Sequence, residues 1–232
     1  MRRTIWRLAA LIFMAALGLQ AGFAARIALM ARFAPHTSAM QRSEMWRQAH
    51  SGQGNWAARW QQQWVDEGGI SPHLMRAVLA AEDDGFIHHS GVDWDAIRRA
   101  RLRNARRSSA RPHGGSTITQ QLAKNLFLSG ERTLARKAQE LVLALALEAL
   151  LDKRRILTLY LNTVEWGEGI WGAEAAARHY FGCSAAELSA PQAAQLAVLL
   201  PAPRRYGAHI NTGALRTKAR RIAARMSATP LP

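Results

Sequence analysis

At 232 residues the chain has room for one sizeable core and an appendage, and 49% hydrophobic content excludes a disordered protein. Its 31 basic against 16 acidic residues give a formal charge of +15, which selects an anionic partner: nucleic acid, an anionic membrane surface or a phosphorylated substrate. The single cysteine, Cys183, excludes an internal disulfide framework.

Arg2, Arg3 and Arg7 precede an apolar stretch from Leu8 to Ala25 that is interrupted only by Gln20 and glycines. As a helix rising about 1.5 Å per residue, the stretch covers most of a roughly 30 Å hydrocarbon core. The basic flank favours a cytoplasmic N-terminus, with the remainder outside the inner membrane. Gly22-Phe23-Ala24 has the small-residue spacing of a cleavage site, but the apolar run exceeds a usual signal core, so the expectation is an uncleaved single-pass anchor. Residues after Ala34, up to about Trp64, are polar and read as a juxtamembrane stalk with short helices.

Ser71-Pro72 starts a helix, since serine caps and proline fits the first turn; Leu74, Val78, Leu79 and Ala81 carry its buried side to Glu82. A carboxylate at that helix end has its pKa pushed up by burial and by the negative pole of the dipole. Asp93 or Asp95 caps the next helix, which runs into Arg98, Arg99, Arg101, Arg103, Arg106, Arg107 and Arg111 and dissolves into a loop. Beyond Gly114-Gly115, Ser116 caps a helix with Ile118, Leu122 and Leu126 on one stripe. Thr117, Gln120, Gln121 and Lys124 form the other stripe, free to line a cleft.

A longer helix from about Arg132 to Leu151 is apolar on nearly every side after Leu141 except at Glu148, the pattern of a central buried helix. Asp152 caps the next one through Tyr160 and Asn162. The glycine and tryptophan segment Glu165 to Gly172 breaks it, and Ala173 to Phe181 is helical again. Ser189-Ala190-Pro191-Gln192 is a capping box for a last apolar helix to Leu200, closed by Pro201 and Pro203. Strand-like alternation is scarce, so the fold is mainly α.

Glu82 is the first candidate general acid or base, and Glu140, followed by Leu141 to Leu143, the second. The competing readings are ion pairs, Glu82 with an arginine and Glu140 with Arg136 or Lys137. Asp83 orients the turn by accepting backbone N–H groups, and His89 does so from the other side. Lys124 and Arg132 are the anion candidates, aided by free N–H groups at the Gly114-Gly115-Ser116 helix entry; a solvated lysine face is the plain alternative. There is no His-Glu-x-x-His and no cysteine pair for zinc, and no Gly-x-Ser-x-Gly or Ser-x-x-Lys for covalent acyl chemistry.

Four linked motifs carry a resemblance. Glu82-Asp83-x-x-Phe86-x-x-His89-x-Gly91-x-Asp93, Gly115-Ser116-Thr117-Ile118-Thr119-Gln120-Gln121-x-x-Lys124-Asn125, Arg136-Lys137-x-x-Glu140 and Lys153-x-x-Ile156-Leu157-x-x-Tyr160-Leu161-Asn162 resemble the peptidoglycan glycosyltransferases in order and spacing. The variant Glu165-Trp166-Gly167-Glu168-Gly169-Ile170-Trp171-Gly172 looks like the monofunctional biosynthetic transglycosylases of Gram-negative bacteria. The resemblance covers about Ile70 to Tyr206. It implies a lysozyme-like helical lobe with a smaller membrane-proximal jaw, divided as residues 1–34 tip and anchor, 35–69 stalk, 70–210 glycosyltransferase domain and 211–232 basic helix or tail.

The implied substrate is lipid II, joined to the nascent glycan strand as β-1,4-linked disaccharides with inversion, release of undecaprenyl pyrophosphate and no cross-linking. Glu82 would be the base towards the acceptor hydroxyl, and Lys124 and Arg132 would hold the pyrophosphate. Glu140 would assist departure or ligate a divalent cation, Mg or Mn, as the candidate cofactor. Arg99, Ser116, Thr117, Gln120, Gln121 and Asn162 map to the polar cleft, with Asp83, Phe86, His89, Gly91, Arg136 and Lys137 supporting it. Gln139 departs from members that carry a basic residue before the second glutamate. The implied partners are the inner membrane with its anionic lipids and cell-division or elongation proteins.

Two rivals are a lytic muramidase on the same fold and a non-enzymatic nucleic-acid-binding protein. A muramidase leaves Lys124 and Arg132 without a purpose. The Arg98 to Arg111 cluster lacks interleaved aromatics and the anchor exports it, so no nucleic-acid partner is expected.

Overall fold

The computed structural model describes residues 2–51, 57, 60–105, 115–131 and 133–232. The mainly helical expectation holds. The helices are α1 (Arg2–Leu29), α2 (Ala39–Ala49), α3 (Pro72–Glu82), α4 (Trp94–Ala105), α5 (Ile118–Phe127), α6 (Leu134–Leu150), α7 (Lys153–Thr163), α8 (Ala173–Phe181), α9 (Ala190–Ala197), α10 (Pro203–Gly207) and α11 (Gly213–Met226). Among the described residues α1 alone is long and apolar enough to cross a membrane. Its first half projects free, with Trp6, Leu8 and Phe13 exposed, while Ile27 and Met30 are buried in the core.

The centre of the body is α7, eight of whose eleven residues are buried, Leu159, Tyr160 and Leu161 completely. Each such leucine contributes on the order of 1.5–3 kcal/mol. Around it pack α5, α6 and α8, while α3, α9 and α11 pack on one another. The Glu165–Gly172 segment is a hairpin, β2 (Glu165–Gly167) with β3 (Ile170–Trp171), to which β1 (Gln61–Gln62) adds in parallel. At the end of the hairpin Gly172 has φ +85°, and a Cβ there would lie 2.8 Å from the Asn162 carbonyl oxygen, so only glycine fits.

The expectation that the helix ending near Leu151 is central is corrected. Only Glu140, Leu143, Ala144 and Leu147 of α6 are buried, whereas Leu134, Val142, Leu145 and Leu150 are exposed. The reason is position: α6 packs with one face on α5 and beside α1, so its other apolar face is left uncovered among the described residues. The Arg106, Arg107 and Arg111 part of the basic cluster lies outside the described residues, and Asp93, not Asp95, caps α4 by accepting the Ala96 N–H at 2.7 Å.

A buried ion cluster ties α2 to the body. Glu44 accepts from Gln48 Nε2 at 2.6 Å, pairs with Arg47, and lies 2.8 Å from Arg204 Nη2, whose Nε donates to Glu165 at 2.8 Å. Burial alone raises a carboxyl pKa, yet the hydrogen bonds from Arg47, Arg204 and Gln48 hold Glu44 at about 2, below its ordinary 4.5. A depressed folded-state pKa stabilises above the unfolded value and is lost as pH falls through the folded one. Chemical denaturation between pH 6 and pH 2 is therefore expected to lose about 1–2 kcal/mol at this cluster after allowance for solvent screening of the half-exposed arginines, mostly below about pH 4.5. In Arg204→Ala this loss should shrink by about 0.5–1 kcal/mol, because Arg204 is one of three donors and is itself partly in water.

Candidate active site

Two helix ends meet here, the C-terminal end of α3 and the N-terminal end of α5. Asp83 leaves helical geometry and turns its side chain away from α3. Its Oδ2 accepts the Ile118 N–H at 2.9 Å, and His89 Nε2 donates to the same carboxylate from 3.0 and 3.1 Å. Thr117 caps α5 in a capping box: its Oγ1 accepts the Gln120 N–H at 3.2 Å, and Gln120 Oε1 accepts the Thr117 N–H at 3.1 Å. The Thr117 hydroxyl also donates to the Gly91 carbonyl at 2.6 Å. Gly91 has φ +87°, and a Cβ there would press within 3.2 Å of the Ala144 oxygen and Glu148 Cγ.

A second layer holds that loop. Lys153 Nζ donates to the His89 carbonyl at 2.6 Å and to Glu148 at 2.8 Å, and lies 4.4 Å over the buried Phe86 ring. Thr119 donates to Glu148 at 2.6 Å. Glu82, bonded directly to Asp83, therefore sits on a backbone fixed from both sides.

Glu82 Oε2 accepts from Gln121 Nε2 at 2.9 Å, and Gln121 Oε1 accepts from the buried Tyr160 hydroxyl at 3.1 Å. Burial pushes the Glu82 carboxyl above its ordinary 4.5 and the Asp83 charge adds to it, against the pull of Gln121 and Lys124. Lys124, one turn beyond Gln121 on α5, is half-buried. Burial pulls its ammonium below the ordinary 10.5, as do Arg136 and Lys137, with Glu140 and Glu82 opposing.

Glu140 is 3% exposed and carries both cations of its own helix: Arg136 Nη1 at 2.6 Å on one oxygen and Lys137 Nζ on the other. The Arg136 Nε is buried with no partner among the described residues, a donor without an acceptor beside Lys124. In front of Glu82 opens a cleft of about 580 Å³ lined by Asp84, Arg99, Ser116, Thr117 and Arg225. Behind it a second pocket of about 250 Å³ shares Glu82 and Arg225 and adds Tyr206, Lys218 and Arg221.

Several sequence expectations change. Thr117, not Ser116, caps α5; the Ser116 hydroxyl instead lies 3.2 Å from Lys137 Nζ. At the entry to α5 the Ile118 and Gln120 N–H groups are already taken by Asp83 and Thr117 rather than left for an anion. Gln120 is buried in the capping box rather than aimed into the cleft, and Gln121 spends both ends on Glu82 and Tyr160, so it positions the carboxylate.

Asn162 is also buried, pinning Val65 through a pair of 2.9 Å bonds to its N–H and carbonyl. As a metal ligand Glu140 does not fit, since both oxygens are already neutralised by cations and no group of three metal-ligating side chains occurs among the described residues. Arg132 lies outside the described residues. Sequence reading missed Tyr160 as a site residue, and it missed the return of α11 to Glu82; the period of Leu215, Ala219, Ile222 and Met226 on that basic helix was its only signal.

Known proteins resemble this chain over most of its length. Residues 50–227 match the family described as Transglycosylase. The chain is 51% identical over 201 residues to a biosynthetic peptidoglycan transglycosylase of Bordetella pertussis, covering 85% of this chain and 82% of the relative. A protein of the same name from Herminiimonas arsenicoxydans is 53% identical over 175 residues, 75% of each chain. One from Paraburkholderia xenovorans is 44% identical over 230 residues, 99% of this chain and 94% of the other.

Proposed function

This chain belongs to the transglycosylase family and is a peptidoglycan glycosyltransferase, and we propose that it polymerises lipid II into β-1,4-linked glycan without transpeptidation. The observation that carries this reading is a desolvated carboxylate, Glu82, placed by Asp83 and Gln121 beside a cationic cluster of Lys124, Arg136 and Lys137.

Glu82 removes the proton of the acceptor 4-hydroxyl. The oxygen attacks the anomeric carbon of the lipid-linked chain, and the bond to the pyrophosphate breaks on the opposite face with inversion. Its raised pKa makes Glu82 a stronger base than an ordinary carboxylate, which lets it share the hydroxyl proton as the bond forms. The leaving diphosphate gains charge in the transition state, where pre-placed cations stabilise it most. Lys124 and Arg132 fill that role, with Arg136 and Lys137 adding positive charge beside Lys124. Glu140 keeps Arg136 and Lys137 in place rather than acting on the substrate.

The candidate span and the apolar face of α6 support work at a membrane, with the body on the outer side of the inner membrane and undecaprenyl pyrophosphate released into the lipid. Purified enzyme in lipid vesicles is expected to convert lipid II into polymer that a muramidase digests. Soluble fragments released from sacculi, with no polymer from lipid II, would replace this reading with glycan cleavage.

A further inference from the structure

Gln20 is the only polar side chain between Leu8 and Ala25. Its Nε2 donates to Gln139 Oε1 at 3.0 Å, and Gln139 Nε2 donates back to Gln20 Oε1 at 3.1 Å, a reciprocal carboxamide pair between residues 119 apart. Gln139 precedes Glu140, the carboxylate that holds Arg136 and Lys137. One turn further along α1, the Phe23 ring meets Phe127 edge-on at 5.5 Å, and Phe127 ends the helix that carries Lys124. Ile27 and Met30 then enter the core. On the opposite face of α1 a Cβ added at Gly18 or Gly22 would meet nothing within 4 Å, so the helix docks by one side only.

An apolar helix sliding on an apolar helix in lipid changes its energy little, because the lipid tails match the contact it loses. A two-way amide pair is directional, and a slip of one residue would move α1 by about 1.5 Å and turn it by about 100°. The pair lies within the candidate span, next to the cationic cluster. A diphosphate on a membrane-anchored lipid is confined to a thin layer at the headgroups, so the height of that cluster decides whether the two meet.

We propose that the Gln20–Gln139 pair locks the anchor helix to the catalytic body and sets the height of the Lys124–Arg136–Lys137 cluster over the membrane, making both glutamines positioning residues for a lipid-anchored diphosphate. The proposal rests on the polymerase reading only in taking the substrate to be lipid-anchored.

The test uses the full chain in vesicles containing anionic lipid. In a Cys183→Ser background, Gln20→Cys with Gln139→Cys should be bridged within one chain by a short thiol-bridging reagent. Gln20→Leu and Gln139→Leu should each raise KM for long-chain lipid II by about 3–10-fold, the equivalent of about 0.6–1.4 kcal/mol, with little change in kcat. KM for a water-soluble, short-chain analogue should stay put. The double leucine variant should recover thermal stability, since no amide is left unpaired, but keep the raised KM. No bridge, an unchanged KM, or the same KM shift on both substrates overturns the lock. Wild-type enzyme that forms no polymer would instead overturn the polymerase reading, and the bridging result would still decide the docking.

Discussion

Glu82→Gln is expected to cut turnover of lipid II by about 10²- to 10⁴-fold, the usual contribution of a positioned general base. Its unfolding transition should stay within about 1 kcal/mol of the parent, because a glutamine oxygen still accepts from Gln121 and the backbone is held through Asp83 rather than through Glu82. The acid limb of the parent's pH profile supplies the second readout. A base works deprotonated, so the rate rises with pH through the Glu82 pKa, and burial places that limb above the ordinary 4.5. In Glu82→Gln the limb should vanish with the activity. A variant that kept a tenth of parental turnover, or kept the limb, would move the base to another residue. Gln121→Leu separates holding from chemistry: without its donor the Glu82 pKa rises further, so the acid limb should move up while activity persists at higher pH.

What could be read from sequence was mostly what is local. Ser71-Pro72, the α5 entry and Asp152 each place a helix start through bonds spanning two or three residues, so those elements lay within a residue or so of their structural bounds. Polar residues were harder. Gln120, Gln121 and Asn162 share the polarity of a cleft lining, but they are used inward, to close a cap, aim a carboxylate and pin Val65. A one-dimensional pattern does not distinguish a polar group facing substrate from one satisfying a buried backbone. The apolar α6 is misplaced for a parallel reason, since a helix buried all round and one that leaves an apolar face exposed can have the same composition. Pairings such as Gln20 with Gln139, or the approach of Arg225 to Glu82, join segments over a hundred residues apart, and nothing in either segment announces its partner.

Lys124→Ala is expected to lower kcat by about 10²- to 10³-fold, roughly 3–4 kcal/mol, the scale of losing one fixed charge that meets developing negative charge. The loss should fall on kcat more than on KM, because the leaving diphosphate gains charge as its bond breaks. The alkaline limb separates this role from mere substrate attraction. Lys124 acts as a cation, so the rate should fall as pH rises through its pKa, which burial has drawn below the ordinary 10.5. Lys124→Arg should retain more activity than the alanine variant and lose that limb, since a guanidinium stays charged. Glu140→Gln removes the charge that props up the Lys124 pKa and frees Arg136 and Lys137 to depress it, so the limb should move to lower pH. A direct role for Glu140 on the leaving group would also lower the rate well below the limb, where Lys124 is fully charged in both enzymes. The rate of Glu140→Gln below the limb therefore decides whether the second glutamate works on the substrate or through Lys124.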